Sequence, residues 1–226
     1  MLELLLSPID PSRAHEVGFH LSWHARLMVV AWAVFVPVGI IIARFFKVWR
    51  RGDWPAHVDD QRWWVAHRSF QYGATGLTLA GLYLILTAPA LTSSIGGPHR
   101  VLGWAIVALT AVQVLGGLLR GTKGGPTDTA LRGDHYDMTP RRLMFETVHK
   151  TAGYLALIVA IAAILSGLWQ SNAPVWMFVV LPVWWLVLAA VFWRLHKSDR
   201  WIDTYQAIWG PSPEHPGNRS TTAPGE

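Results

Sequence analysis

Apolar residues along this chain come in long unbroken blocks. No Asp, Glu, Lys or Arg occurs in 27–43, 69–99, 101–119 or 151–193. A helix needs about 20 largely apolar residues, within a range of about 17–25, to cross the hydrocarbon core of a bilayer. The first three blocks each hold one span, and the fourth is divided in two by the turn signal "QSNAP" at 170–174. The pattern predicts five transmembrane helices over 20–47, 62–88, 98–120, 141–169 and 175–196. Helices of a soluble protein carry a polar face at helical period. These blocks are apolar all round, which sets aside a soluble all-α domain.

Punctuation between the blocks refines the boundaries. Asp10 followed by Pro11 reads as a helix start, so the first helix is expected to begin well before the membrane. Pro37 lies inside the first block and is expected to kink it. Asp59 and Asp60 are candidate caps for the second span, Gly97-Pro98 opens the third and Thr139-Pro140 the fourth. The Gly-, Pro- and Asp-rich stretch 121–142 reads as irregular structure. After the fifth span, Trp201, Tyr205, Ile208 and Trp209 recur at i, i+4, i+7 and i+8. This predicts a short helix over 199–209 on the membrane surface or against a partner. Residues 211–226 read as disordered. The expected organisation is a short N-terminal segment (1–19), a four-helix core (20–169), a fifth span (170–196) and a tail (197–226).

Composition and charge fix class and orientation. Charged residues are 15% of the chain, where soluble domains carry about 25%. All but Arg13, Arg26 and Arg100 of the 19 basic residues fall in the first long loop, the second long loop, or the tail. Five spans put those three segments on one face, so the rule that basic loops stay inside predicts a cytoplasmic C-terminus and an N-terminus outside. The same asymmetry accounts for the net charge of +5 without a nucleic-acid partner. The opening "MLELLLSPIDPSR" has no basic leader and too short an apolar core for a signal peptide. The absence of cysteine excludes disulfides, iron–sulfur clusters and thiol catalysis.

Candidate chemistry lies in four histidines, one near the start of each of the first four spans: His24, His67, His99 and His149. A weak repeat frames three of them, "HRSFQYG", "HRVLGWA" and "HKTAGYL". Consecutive spans run in opposite directions, so His24 and His99 lie toward one face, His67 and His149 toward the other. In an up-down four-helix bundle, helices 1 and 3 are diagonal neighbours, as are 2 and 4. Each same-level pair therefore meets across the bundle centre, as the two axial positions of a b-type haem require. Gly103 and Gly153 stand four residues after His99 and His149, where a missing side chain lets a flat ring approach the backbone. Arg26, Arg68, Arg100 and Lys150 are placed to pair with haem propionates. Alone, each feature has a plainer meaning: an interfacial histidine, a packing glycine, a topology-setting cation. Together they predict two haem b groups, ligated by His24–His99 and His67–His149.

The pieces "HARLMVVAWAVFVPVGIIIARFFK" (24–47), "HRSFQYGATGLTLAGL" (67–82), "HRVLGWAIVALTAVQVLGGLLRG" (99–121) and "GDHYDMTPRRLMFETVHKTAGY" (133–154) resemble the cytochrome b561 superfamily, in particular the modules found in bacteria and beside DOMON domains. The resemblance implies a four-helix core with two b haems, ligated by the first with the third core histidine and the second with the fourth. It also implies electron transfer across a membrane, here the cytoplasmic membrane of a bacterium. Two organisations are compatible with the pattern: a self-contained oxidoreductase with small substrates or a quinone, or the haem subunit for a separate redox partner protein. The pattern leaves a homodimer open. The rival reading is a transporter moving protons or divalent metals along the histidines. It calls for acidic residues beside them at membrane depth, and none occurs in the spans.

Overall fold

A computed structural model of the chain describes residues 2–15, 17–49, 51–89 and 97–219, all helical or irregular apart from one isolated bridge between Pro8 and Pro174. Five long helices dominate: α1 (Phe19–Phe45), α2 (Arg62–Leu86), α3 (Pro98–Leu118), α4 (Pro140–Gln170) and α5 (Val175–Lys197). Their order and positions are those the apolar blocks predict. Among the described residues, α1, α3, α4 and α5 are long and apolar enough to cross a membrane. The exception is α2, expected as the second of five spans. At 25 residues it is long enough, but Gln71, Thr75 and Thr78 dilute its apolar character. These groups are satisfied inside the protein: Gln71 Nε2 donates to the Val36 carbonyl at 3.2 Å, and the two threonine hydroxyls donate one turn back to Gln71 and Ala74.

Helix starts follow local chemistry. Pro98 and Pro140 occupy first helical positions, where the missing N–H costs nothing. Asp60 accepts the Arg62 N–H at the start of α2. Asp59 does not cap; it turns inward in a left-handed conformation and binds Lys123 at 2.5 Å. The Asp10-Pro11 signal does not start α1 either. Asp10 closes a turn on Ser12 and Arg13, and the helix begins after Gly18. Within α1, Val30–Phe35 forms a π turn in which the Val36 N–H reaches back five residues to Ala31. The disturbance expected at Pro37 thus takes the form of one wide turn just before it.

The chain divides into two compact units. The first holds the residues up to Val38, Ser69–Thr110 and Tyr154–Phe192. Many of its buried residues are alanines, among them Ala31, Ala33, Ala74, Ala156 and Ala160, joined by Trp32, Ile106 and Leu168. The N-terminal segment is tied to the α4–α5 turn by Asn172, which is 2% exposed. Its side chain accepts the Asp10 N–H and donates to the carbonyls of Asp10 and Arg13 at 2.8–3.0 Å.

The second unit holds Gly39–Arg68, Ala111–Gly153 and the chain from Trp193 onward. The first long loop, the second long loop and the tail, expected on one face, meet here. Asp59 N–H donates to Ala207, Lys47 Nζ to Ile202 and Trp54 Nε1 to Gln206. The helix expected over 199–209 is shorter, Thr204–Trp209, and caps on Asp203. It lies against its own chain: Tyr205 and Ile208 are buried, and the Tyr205 hydroxyl donates to Glu146 at 2.6 Å. Residues after it are likewise ordered through Arg219. Asn218 is buried and donates to Gly210 and Ser212, correcting the expected disorder there. Residues 220–226 lie outside the described part.

Removing the Asn172 clamp leaves the Asp10 and Arg13 groups unpaired. Asn172→Ala should cost about 1–3 kcal/mol and expose residues 8–15 to protease, read by thermal unfolding and N-terminal cleavage in mild detergent. Tail docking should depend on pH. His135 is buried against Tyr205 and Trp209, with ring centres 4.9 and 5.0 Å away. Burial above all, then the cations Arg142, Arg120 and Lys123, lower its pKa from 6.5 to about 2. Between those values the folded chain binds fewer protons than the unfolded one, so stability is full above about pH 6.5 and falls as the pH drops. Hydrogen exchange in Thr204–Trp209, corrected for intrinsic rate, should quicken from about pH 7 to about pH 5, and His135→Phe should reduce that dependence, leaving the part owed to His215, whose burial also lowers its pKa.

Candidate functional site

Each unit contains one histidine pair. In the first, His24 from α1 and His99 from α3 face each other with ring centres 6.1 Å apart and planes at 90°. In the second, His67 from α2 and His149 from α4 stand 6.4 Å apart at 74°. These are the pairings drawn from helix order alone. The spacing has a chemical meaning. Two metal–imidazole bonds of about 2 Å, with about 1 Å more from each nitrogen to its ring centre, separate the centres by about 6 Å.

Three of the four rings are held by backbone carbonyls. His24 Nδ1 lies 2.9 Å from Gly81 O, His67 Nδ1 3.0 Å from Gly39 O, and His99 Nδ1 2.9 Å from Ala163 O. A carbonyl can only accept, so Nδ1 carries the hydrogen and Nε2 keeps its lone pair. Carbonyls that accept from the outer ring nitrogen orient metal-binding histidines in the same way. His149 differs. Its Nδ1 is buried without a hydrogen-bond partner, and the ring lies against Phe145 with centres 5.0 Å apart. The backbone carbonyl of His149 accepts from Gln113 Nε2 at 2.9 Å.

The expected glycines have unequal surroundings. A Cβ on Gly103 would meet nothing within 4 Å, whereas one on Gly153 would touch the Gln113 amide at 3.7 Å. Glycines that helix position did not single out are closer to the rings. A Cβ on Gly167 would come within 2.8 Å of His99 Cε1, and one on Gly81 within 3.6 Å of His24 Nδ1 and 3.0 Å of Met28 Cε. Gly39, Gly81, Ala163, Gly167 and Gln113 therefore belong to the site, though sequence reasoning passed over them. Their common signal is a small or polar residue on the span adjoining each histidine's own.

The four cations are positioned differently from one another. The Arg26 guanidinium lies over Trp23 at 5.3 Å and that of Arg68 over Trp64 at 5.7 Å. Arg100 is exposed at the first turn of α3. Lys150 is paired with Glu146, which also takes the Tyr205 hydroxyl and lies 3.9 Å from Arg142. No group of three or more metal-ligating side chains occurs among the described residues. The two pairs fit a planar tetrapyrrole that fills the remaining coordination positions itself.

A family model for eukaryotic cytochrome b561 matches residues 23–174. Ferric-chelate reductase 1 of Bos taurus is 33% identical over 149 residues, covering 66% of this chain and 22% of that protein. Its counterpart in Homo sapiens is 30% identical over 163 residues, covering 72% and 24%. A cytochrome b561 and DOMON domain-containing protein of Arabidopsis thaliana is 29% identical over 175 residues, covering 70% and 36%. The chain spans about a quarter of the length of the two reductases. No solved structure matches it. With four helices suited to crossing a bilayer and the family model covering most of the chain, it belongs to the cytochrome b561 family of transmembrane haem b electron-transfer proteins.

Proposed function

We propose that this chain carries electrons across a membrane on two b haems, one held by His24 and His99 and the other by His67 and His149. The observation that carries the reading is the pair of ring separations, 6.1 and 6.4 Å, together with Nδ1 hydrogen bonds that leave Nε2 as the free ligand atom. A haem with histidine on both axial positions supplies a one-electron couple and no vacant site for oxygen. The protein's own part is to aim the imidazoles, exclude water and set the surrounding charge. Arg26 and Arg100 are the nearest cations in sequence to the first pair, Arg68 and Lys150 to the second, and we assign them to propionate groups. Gly103 and Gly153 leave room for the ring edge.

The basic loops support an orientation with the C-terminus cytoplasmic and the N-terminus outside, in a bacterial cytoplasmic membrane as the resemblance implies. His67 and His149 would then take electrons from a cytoplasmic donor, an anionic reductant or a quinone, and His24 and His99 would deliver them outside. The relatives named ferric-chelate reductase suggest a ferric chelate as the acceptor. A separate redox partner protein or a homodimer is compatible with the same core.

Purified protein should show a b-type reduced-minus-oxidised spectrum and about two haems per chain by pyridine haemochrome. Replacing His24 or His99 by Ala should remove one haem, and replacing His67 or His149 the other. Well-folded protein supplied with haem yet free of it would overturn the reading. Gly103→Leu separates a haem cradle from a packing role. Its side chain meets no protein atom at Cβ, so unfolding of the haem-free chain should stay within about 0.5 kcal/mol of the parent. Haem at the His24–His99 site should fall by about half or more, a loss of at least roughly 0.4 kcal/mol in retention.

A further inference from the structure

The fifth long helix holds none of the four histidines, yet it makes one specific contact with α1. Pro37 has no N–H and so offers no donor to the carbonyls of the turn before it, and Ala33 O lies where that turn, paired five residues apart, gives way to regular helix. Ala33 is fully buried, within the span where no water can substitute. Trp184 of α5 supplies a donor: its Nε1 reaches Ala33 O at 2.7 Å. That carbonyl belongs to the π turn Val30–Phe35.

The π turn decides which side of α1 faces α2. His24, Trp32, Phe35 and Val36 all meet that helix: His24 Nδ1 on Gly81 O, Trp32 Nε1 on Thr78 Oγ1 at 3.1 Å, Phe35 against Phe70 and Gly73, and Val36 O on Gln71. In a regular α-helix each residue advances about 100°, so contacts spaced by four drift steadily off one face. A wide turn absorbs the extra residue and keeps the face aligned. If that turn relaxes to regular helix, His24 before it and Val36 after it can no longer both keep their partners on α2.

We propose that Trp184 is a positioning residue for the His24–His99 site, acting through the Ala33 carbonyl and the π turn of α1. The inference rests on the assignment of a haem to that pair. It gives the fifth helix a defined task, to supply a hydrogen bond at the turn where Pro37 can offer none.

The test compares Trp184→Phe, Pro37→Ala and the double variant with the parent, purified with haem in mild detergent. Haem per chain, the low-spin ferric signature and the reduction potential are read for each site, with His99→Ala identifying the signal of the His24–His99 pair. Trp184→Phe should weaken haem retention at that pair about fivefold or more and shift its signature, leaving the His67–His149 signal in place. Pro37→Ala restores a backbone N–H near Ala33, so it should recover most of the loss when combined with Trp184→Phe. An unchanged first-site signal in Trp184→Phe would overturn the proposal. So would equal loss from both sites without rescue by Pro37→Ala, the mark of a general packing defect. A parent protein lacking any signal that His99→Ala removes would overturn the haem assignment and this inference with it.

Discussion

The orientation of three of the four paired histidines depends on hydrogen bonds between imidazole Nδ1 and helix carbonyls. Within a bilayer an unpaired ring N–H is costly, and no water stands by to satisfy it. A carbonyl inside a helix already accepts the N–H four residues on, but its second lone pair remains available. Gly39, Gly81 and Ala163 lend that lone pair to His67, His24 and His99 without breaking their helices. They can do so because they are small. A larger side chain beside any of these carbonyls would keep the imidazole at a distance, as the tight fit of Gly81 against Met28 and of Gly167 against His99 indicates.

The same constraint explains the composition of α2. It has the least apolar sequence of the five long helices, and its polar groups do specific structural work. Gln71 bonds α1 at Val36, and Thr78, which is 2% exposed, accepts from Trp32. A helix that offered only leucine to the bilayer could not fix the rotation of its neighbour so closely. Hydropathy alone therefore undervalues α2 as a span, because part of its polarity points into the protein.

Much of this was legible in the sequence. Apolar blocks located the five long helices, proline and glycine marked the starts of α3 and α4, and alternating helix direction anticipated which histidine rings stand near each other. What escaped has definite physical causes. Asp10-Pro11 looks like a helix start, but Asn172, 162 positions away, competes for the same backbone. The tail looks soluble and loose because its sequence is polar, yet Asn218 is buried by hydrogen bonds within the tail and His215 against Tyr136 of the distant second loop. The carbonyl partners of the histidines leave no mark in residue type beyond smallness, and a small residue in a membrane helix has several uses. The π turn is equally hidden. Pro37 announces a disturbance but says nothing of the wide turn that precedes it.

The two pairs are alike in residue type and unlike in setting. Both imidazoles of the first pair are anchored at Nδ1, which would make them stronger donors to a metal bound between them, as we propose, and so favour its oxidised state. In the second pair only His67 is anchored, and His149 presses on Phe145 with its Nδ1 unpaired. The helix that carries His149 also brings Arg142 and Lys150, partly offset by Glu146 between them. Positive charge near a metal centre favours the reduced form. On the proposed assignment of a haem to each pair, ligand anchoring would act toward a higher potential at His67–His149 than at His24–His99, while charge would not separate them, since Arg26 and Arg100 at the first pair match Arg68, Arg142 and Lys150 less Glu146 at the second. Desolvation acts on both sites and does not by itself separate them. Electron delivery from His67–His149 to His24–His99 would then run uphill between the two sites, drawn forward by the acceptor rather than by the relative strengths of the two couples.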